Sequence, residues 1–431
     1  MTTSAPKNRL RRIAVDIRPL AHPVFRRTFF GQGAAVVGTV VTEVAVPVQI
    51  YDLSHSSFDV GLAGLAGLVP ILVFGLYGGA IADAVDRRRL YLVSSALTWT
   101  VTLALFAQAV AGLRSAPLIL ALVAVQSGGF AVSSAVRGAI VPALVTPDLV
   151  PAANSLNYTA STVGQVLGPL VAGVLLGLPN GFCYAYGADA VLFTAALYAT
   201  FRLPPLPPAA PLGRPGLRSV LDGLRFLAGR QVLLMSFLVD IAAMVLAMPT
   251  ALFPQAAETR WHGGIGLLYS AIAIGSVLAG LSSGWIGRVR RQGAALTAAV
   301  VVWAGAVALA GLAPTLWLAV TLLIVAGAAD LVSAVYRQTI LQTAVPDRMR
   351  GRLQGVYTVV VTGGPRLGDL RAGIMASALP LAVAWSATAL TCAVLVLTGA
   401  VLARSFWQYT PGEKSGGESR SSNPPSGACG G

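Results

Sequence analysis

Long apolar runs broken by short polar turns repeat along this chain. Runs of about 20 residues are long enough to cross a hydrocarbon core of about 30 Å as helices. Twelve are predicted: 25–50, 58–82, 90–112, 117–135, 154–178, a sixth ending near Arg202, then 231–255, 264–287, 293–313, 315–336, 353–376 and 379–403. The expected fold is an all-α membrane protein with twelve transmembrane helices.

The pattern breaks once in the middle. Residues 203–216 read LPPLPPAAPLGRPG, and so many prolines forbid helix and favour an extended linker. RSVLDGLRFLAG follows, with Val220, Leu221, Leu224 and Leu227 near one side, which suits a short helix at the membrane surface. What precedes the linker recurs after it. Gly61, Gly75 and Gly79 are echoed by Gly266, Gly280 and Gly284, Tyr158 by Tyr357, and Gly164 by Gly363. The expected organisation is an N-terminal segment 1–24, a six-helix half 25–203, a linker 204–230, a second half 231–403 and a disordered tail 404–431.

Composition agrees with the pattern. Hydrophobic residues make up 55% and charged residues 11%, against about 25% charged in a water-soluble domain. The net charge of +14 would suit nucleic acid until its distribution is read. All Lys and Arg except Arg114, Arg260, Arg366 and Arg371 fall on one side of an alternating twelve-helix path that begins in the cytoplasm. That asymmetry is the positive-inside rule, so both termini are expected in the cytoplasm and no nucleic-acid partner is expected. Cys183, Cys392 and Cys429 have no disulfide or zinc spacing, and the three histidines form no metal set. Lys7 and Lys414 are the only lysines, which rules out a phosphate-binding GK[ST] loop. Gly280, Ser282 and Gly284 match GxSxG without its strand-turn-helix setting. No enzyme, cofactor or metal site is expected.

Ionisable side chains inside spans are costly and therefore candidates for function. They are Glu43, Asp189, Asp240, Asp330, Arg366, Asp369 and Arg371. Glu43 ranks first: it lies about 25 Å along the first span, has no basic residue nearby in sequence, and suits a proton carrier. Its alternative is an ion-pair partner or a polar lining group. Asp240 ranks second. Asp330 is placed to pair with Arg337 or Arg366, Arg366 with Asp369 three residues on, and Asp189 ranks last as a group reached by water.

In the uncharged fifth span, Gly164, Gly168, Pro169, Ala172 and Gly173 form a small-residue face with a proline bend. That spacing resembles the antiporter motif of major facilitator superfamily exporters, with Ser155 and Ala172 where that family has glycine. Gly79, Asp83, Asp86, Arg87, Arg88 and Arg89 resemble the superfamily's loop between its second and third helices, Ala84 and Asp86 being departures. The resemblance implies two pseudo-symmetric six-helix halves and a cytoplasmic gate of Gly79, Asp83, Arg87 and Arg88, with Arg137 and Arg288 in the flanking basic turns. The fourth span, LALVAVQSGGF, lacks the arginine of proton-coupled relatives. AVPVQIYDLSHSSFDVGL and VPDRMRGRLQGVYTVVVTGGPRLGD resemble the enterobactin exporter family, a siderophore-efflux branch.

The resemblance implies a secondary efflux transporter for a small organic molecule, a siderophore or an antibiotic. It would work by proton antiport, as a monomer among membrane lipids, with the proton gradient as its energy source. Proton-coupling candidates are Glu43, Asp240, Asp330, Arg366 and Asp369. An uptake symporter and a non-transporting receptor or scaffold are the alternatives.

Overall fold

The computed structural model describes residues 16–205, 224–345 and 347–410. Among these there are helices and no strands: α1 (Pro23–Ser54), α2 (Ser57–Ala84), α3 (Arg87–Val110), α4 (Ala116–Leu144), α5 (Val150–Leu176), α6 (Gly181–Phe201), α7 (Gln231–Leu246), α8 (Phe253–Thr259), α9 (Ile265–Leu281), α10 (Gln292–Leu312), α11 (Leu316–Ala344), α12 (Asp347–Ala378), α13 (Leu381–Leu402) and α14 (Arg404–Trp407). Among the described residues, ten helical segments are long and apolar enough to cross a membrane. The apolar α9 is a shorter segment of 17 residues, and α12, 32 residues long, carries Arg366, Asp369 and Arg371 in its middle.

Polar residues at the turns set the helix starts. Asp86, one of the two departures from the superfamily loop, accepts the Arg89 N–H at 3.1 Å and caps α3. Ser115 and Thr315 cap α4 and α11 in the same way. Pro47, Pro70, Pro142, Pro169 and Pro365 lie inside helices, tolerated because neighbouring helices surround the backbone groups they free.

The seventh predicted span is not one helix. It stops at Leu246, makes a 3-10 turn over Thr250–Leu252 and resumes as α8. Pro249 explains the break, since its ring displaces the carbonyl four residues back, that of Val245. The eighth span also ends early, at Leu281, and continues as a 3-10 helix over Ser283–Arg288. The chain expected to be disordered from Arg404 is packed as far as Tyr409. Phe406 is fully buried, the Gln292 N–H donates to the Tyr409 carbonyl at 3.0 Å, and Ser405 donates to Gln231 at 2.7 Å. The lack of a side chain at Gly293 admits the Phe406 carbonyl. Residues 411–431, and the linker over 206–223, lie outside the described residues; 224–228 are helical.

Helices α1–α6 pack mainly on one another, α7–α13 likewise, and two crossings join the sets: α2 on α12, and α5 on α9. Helices α9 and α11 meet backbone to backbone, where Gly275 faces the Ile324 carbonyl and Gly327 the Ile272 carbonyl. Without a hydrophobic force between helices in lipid, such backbone contact is what holds them. Gly275→Leu is expected to cost about 1–3 kcal/mol by overpacking and to lower the unfolding midpoint of the detergent-solubilised protein. Gly305→Ala, a site with nothing within 4 Å, should leave it unchanged or raise it.

Candidate functional site

The N-terminus of α1 marks the basic end of the bundle, where Arg26, Arg27, Arg87, Arg88, Arg89, Arg202, Arg230, Arg288, Arg290 and Arg291 gather. Contacts between the two sets of helices among the described residues are found in the middle and toward the opposite end. A Cβ at Gly61 would stand 2.7 Å from the Asp369 carbonyl, and one at Gly373 would stand 2.5 Å from that of Ser57. Gly266 meets the Pro169 carbonyl, and a Cβ at Gly173 would lie 2.9 Å from the Gly266 Cα. Ser57 donates to Gln255 at 2.7 Å between the same two sets. Gly61 and Gly266 are the first pair of the internal repeat, so the repeat supplies one glycine to each crossing. Gly164 and Gly168 have another use: they seat Val36 and Val40 of α1.

Glu43 is exposed, between buried Thr42 and Val44. It has no basic neighbour in sequence, but it lies within electrostatic reach of Arg366 on α12. The guanidinium of Arg366 crosses over Gly67, where its Cζ would be 3.8 Å from an added Cβ. Among the described residues no ion pair joins Arg366 to Asp369, contrary to the pairing expected along the helix. Asp369 accepts instead from the Thr250 hydroxyl and, at 3.1 Å, from the Ala251 N–H, which caps the turn before α8. Arg371 holds the other side of the break. Its Nε donates to the Val245 carbonyl and its Nη2 to the Met248 carbonyl, each at 3.0 Å, and Nη1 donates to Thr388. The carbonyl freed by Pro249 is therefore answered by a cation at a helix C-terminus, a favourable place for it.

Asp189, ranked last as a water-reached group, is 0% exposed. Its Oδ2 accepts from Thr42 at 2.7 Å and from Thr102 at 3.3 Å, joining α1, α3 and α6, and Glu43 lies within electrostatic reach. A second polar cluster, of neutral side chains, is buried on the same helices, in which Gln49 and Gln108 exchange amide hydrogen bonds and Tyr186 donates to Gln49 at 2.7 Å. Neither cluster was legible in the sequence, because the partners of Asp189 stand 147 and 87 positions away.

Asp240, without a local partner in sequence, forms an ion pair with Arg337 of α11. Both are buried, 1% and 5% exposed, while Asp330 is 31% exposed and 3.8 Å from the same guanidinium. Asp330 thus pairs with Arg337 as expected and not with Arg366. One cation serves two carboxylates.

Of the gate residues, Gly79 and Asp83 lie outside the residues whose placement is described. Arg87 has a partner. Arg88 donates to the Phe201 carbonyl at 2.8 Å and so caps α6, as Arg27 does through the Arg202 carbonyl at 3.1 Å. Arg288 is exposed, and Arg137 lines a cleft among α1, α3, α4 and α5.

Two sets of membrane helices joined at glycine crossings, with charges facing the space between them, define a transporter of the major facilitator superfamily. The family model described as transmembrane secretion effector matches residues 14–424, and the chain belongs to that family. It is 31% identical over 404 residues to the enterobactin exporter EntS of Shigella boydii serotype 18, covering 90% of this chain and 95% of the relative. The EntS of Citrobacter koseri is 31% identical over 378 residues, covering 84% and 88%. In fold, the chain is similar to the nucleoside transporter NupG, with TM-score 0.70, 14% identity and coverage of 90% and 100%. It is likewise similar to a bacterial homologue of the iron transporter ferroportin, with TM-score 0.68, 16% identity and coverage of 90% and 99%. The protein is a multi-pass membrane transporter of the efflux type and not an enzyme.

Removing Arg337 alone should strand two carboxylates. Arg337→Ala is expected to destabilise the fold by about 3–5 kcal/mol, read as a lower unfolding midpoint in detergent, and adding Asp240→Asn should recover part of the loss.

Proposed function

We propose that the chain exports a small amphipathic organic molecule of siderophore type from the cytoplasm in exchange for protons. The observation that carries this reading is Glu43, an exposed carboxyl of the first half within electrostatic reach of Arg366 of the second. The basic end belongs in the cytoplasm by the positive-inside rule, with both termini on that side. The described contacts Gly61–Asp369, Gly266–Pro169 and Ser57–Gln255 then lie in the middle and toward the outer side, and in this reading they form the outer closure. Export requires the Gly61–Asp369 and Gly173–Gly266 crossings to part as one half rocks against the other. In the outward-open state a proton reaches Glu43, cancels its attraction to Arg366, and is given up to the cytoplasm when the bundle reopens inward. Asp189, close enough to feel the Glu43 charge, is the second carboxyl on that path.

The siderophore class is supported by the relatives, whose names specify enterobactin. One copy of the chain in lipid suffices, with no cofactor beyond the proton gradient. Asp240, Asp330 and Asp369 serve as ion-pair and capping partners that keep α7, α8, α11 and α12 in register. Deleting the protein from its host under iron limitation should leave the cargo in the cells and out of the medium, as measured by mass spectrometry. Reduced uptake without retention would instead indicate a symporter. In proteoliposomes, Glu43→Gln should abolish cargo-dependent proton movement, and full activity in that variant would overturn the coupling site.

A further inference from the structure

A cleft of about 310 Å3 opens at the basic end among α1, α3, α4 and α5. All its lining residues belong to the first half, so it is a side pocket and not the space between the halves. Its floor carries the Tyr91 hydroxyl, which accepts from the Gln32 amide, and Phe25 and Phe29 form an aromatic wall with ring centroids 6.1 Å apart. Arg137 projects from α4 into this setting, within electrostatic reach of Tyr91. Among the described residues no carboxylate stands within 4 Å of its guanidinium and no acceptor takes its N–H groups. The side-chain amides of Asn154 and Asn157 on α5 add neutral donors on the facing wall. An unmatched cation, amide donors and aromatic rings in one concave site form a receptor for a planar acid.

We propose that this cleft binds the acidic group of an amphipathic aromatic anion, with Arg137 as the cation that takes its carboxylate or phenolate. The planar guanidinium fork matches a carboxylate with two parallel hydrogen bonds. The volume is at the lower end of small-molecule sites, about 300–1,000 Å3, so the cleft takes one acidic arm while a larger molecule extends into the space between the halves. As a loading site it rests on the export reading; as a binding site it does not.

The test is calorimetric titration of the purified full chain, in a neutral detergent, with 2-naphthoate and with 2-naphthamide, which has the same rings and no charge. Naphthoate should bind more tightly than the amide. Arg137→Gln should weaken naphthoate at least tenfold and leave the amide unchanged. Gly33→Leu fills the cleft from a position where a Cβ meets only Ala160 at 3.9 Å, and should weaken both ligands. Unaltered naphthoate binding in Arg137→Gln, or no binding by the native chain, overturns the proposal. Displacement of naphthoate by a few molecules of phosphatidylglycerol per protein would assign the anion seat to a lipid headgroup and likewise overturn it. A chain that exports cargo yet ignores naphthoate loses only the cleft, whereas one that binds naphthoate but moves no protons loses only the coupling mechanism.

Discussion

The two halves meet where a helix of one lays its backbone against a helix of the other, α2 on α12 and α5 on α9. Any larger side chain at Gly61, Gly173 or Gly266 would hold these backbones apart, and in lipid no hydrophobic force would draw them together again. Contacts of this kind are individually weak and have no water to exclude, so they can part and re-form during a transport cycle. The same small-residue chemistry makes a permanent joint where a glycine of each helix receives a carbonyl of the other, as Gly275 and Gly327 do within the second half.

Charge inside the bundle obeys a second constraint, that each group must be answered by protein. Arg371 and Asp369 answer it with backbone, one holding the carbonyl that Pro249 displaces and the other capping the turn that follows. Asp240 and Arg337 answer one another. These arrangements turn four of the intramembrane charges into structural parts of the second half. The carboxyl groups held by neither a cation at contact distance nor a backbone N–H are on the first half, Glu43 on an exposed face of α1 and Asp189 buried on two threonine hydroxyls. Labour is thus divided: the second half spends its charges on a broken helix and a buried pair, and the first carries the groups suited to moving a proton.

The gate loop shows how a departure from a family pattern acquires a local reason. Asp86 stands where the superfamily loop has glycine, and its carboxylate caps α3. Arg88 is fastened to the end of α6 in its own half. That guanidinium is held at a helix C-terminus within its own half.

The sequence by itself determined that this is an all-α membrane transporter and carried the charge asymmetry and the glycine repeat, while the described residues hold ten helical segments long and apolar enough to cross a membrane against the twelve spans expected. Hydropathy, charge asymmetry and repetition are properties of neighbouring residues and survive in one dimension. Even the two glycines of the inter-half crossings were present as a repeat, though nothing in the spacing told that they face carbonyls of the opposite half. Only the tertiary structure decided which charges pair. Asp240 finds Arg337, Arg366 lies within electrostatic reach of both Glu43 and Asp369, and Asp189 is sealed by Thr42 and Thr102. These partners come from helices far apart in the chain, and helix rotation within the bundle, which sequence spacing does not set, determines whether two such side chains meet.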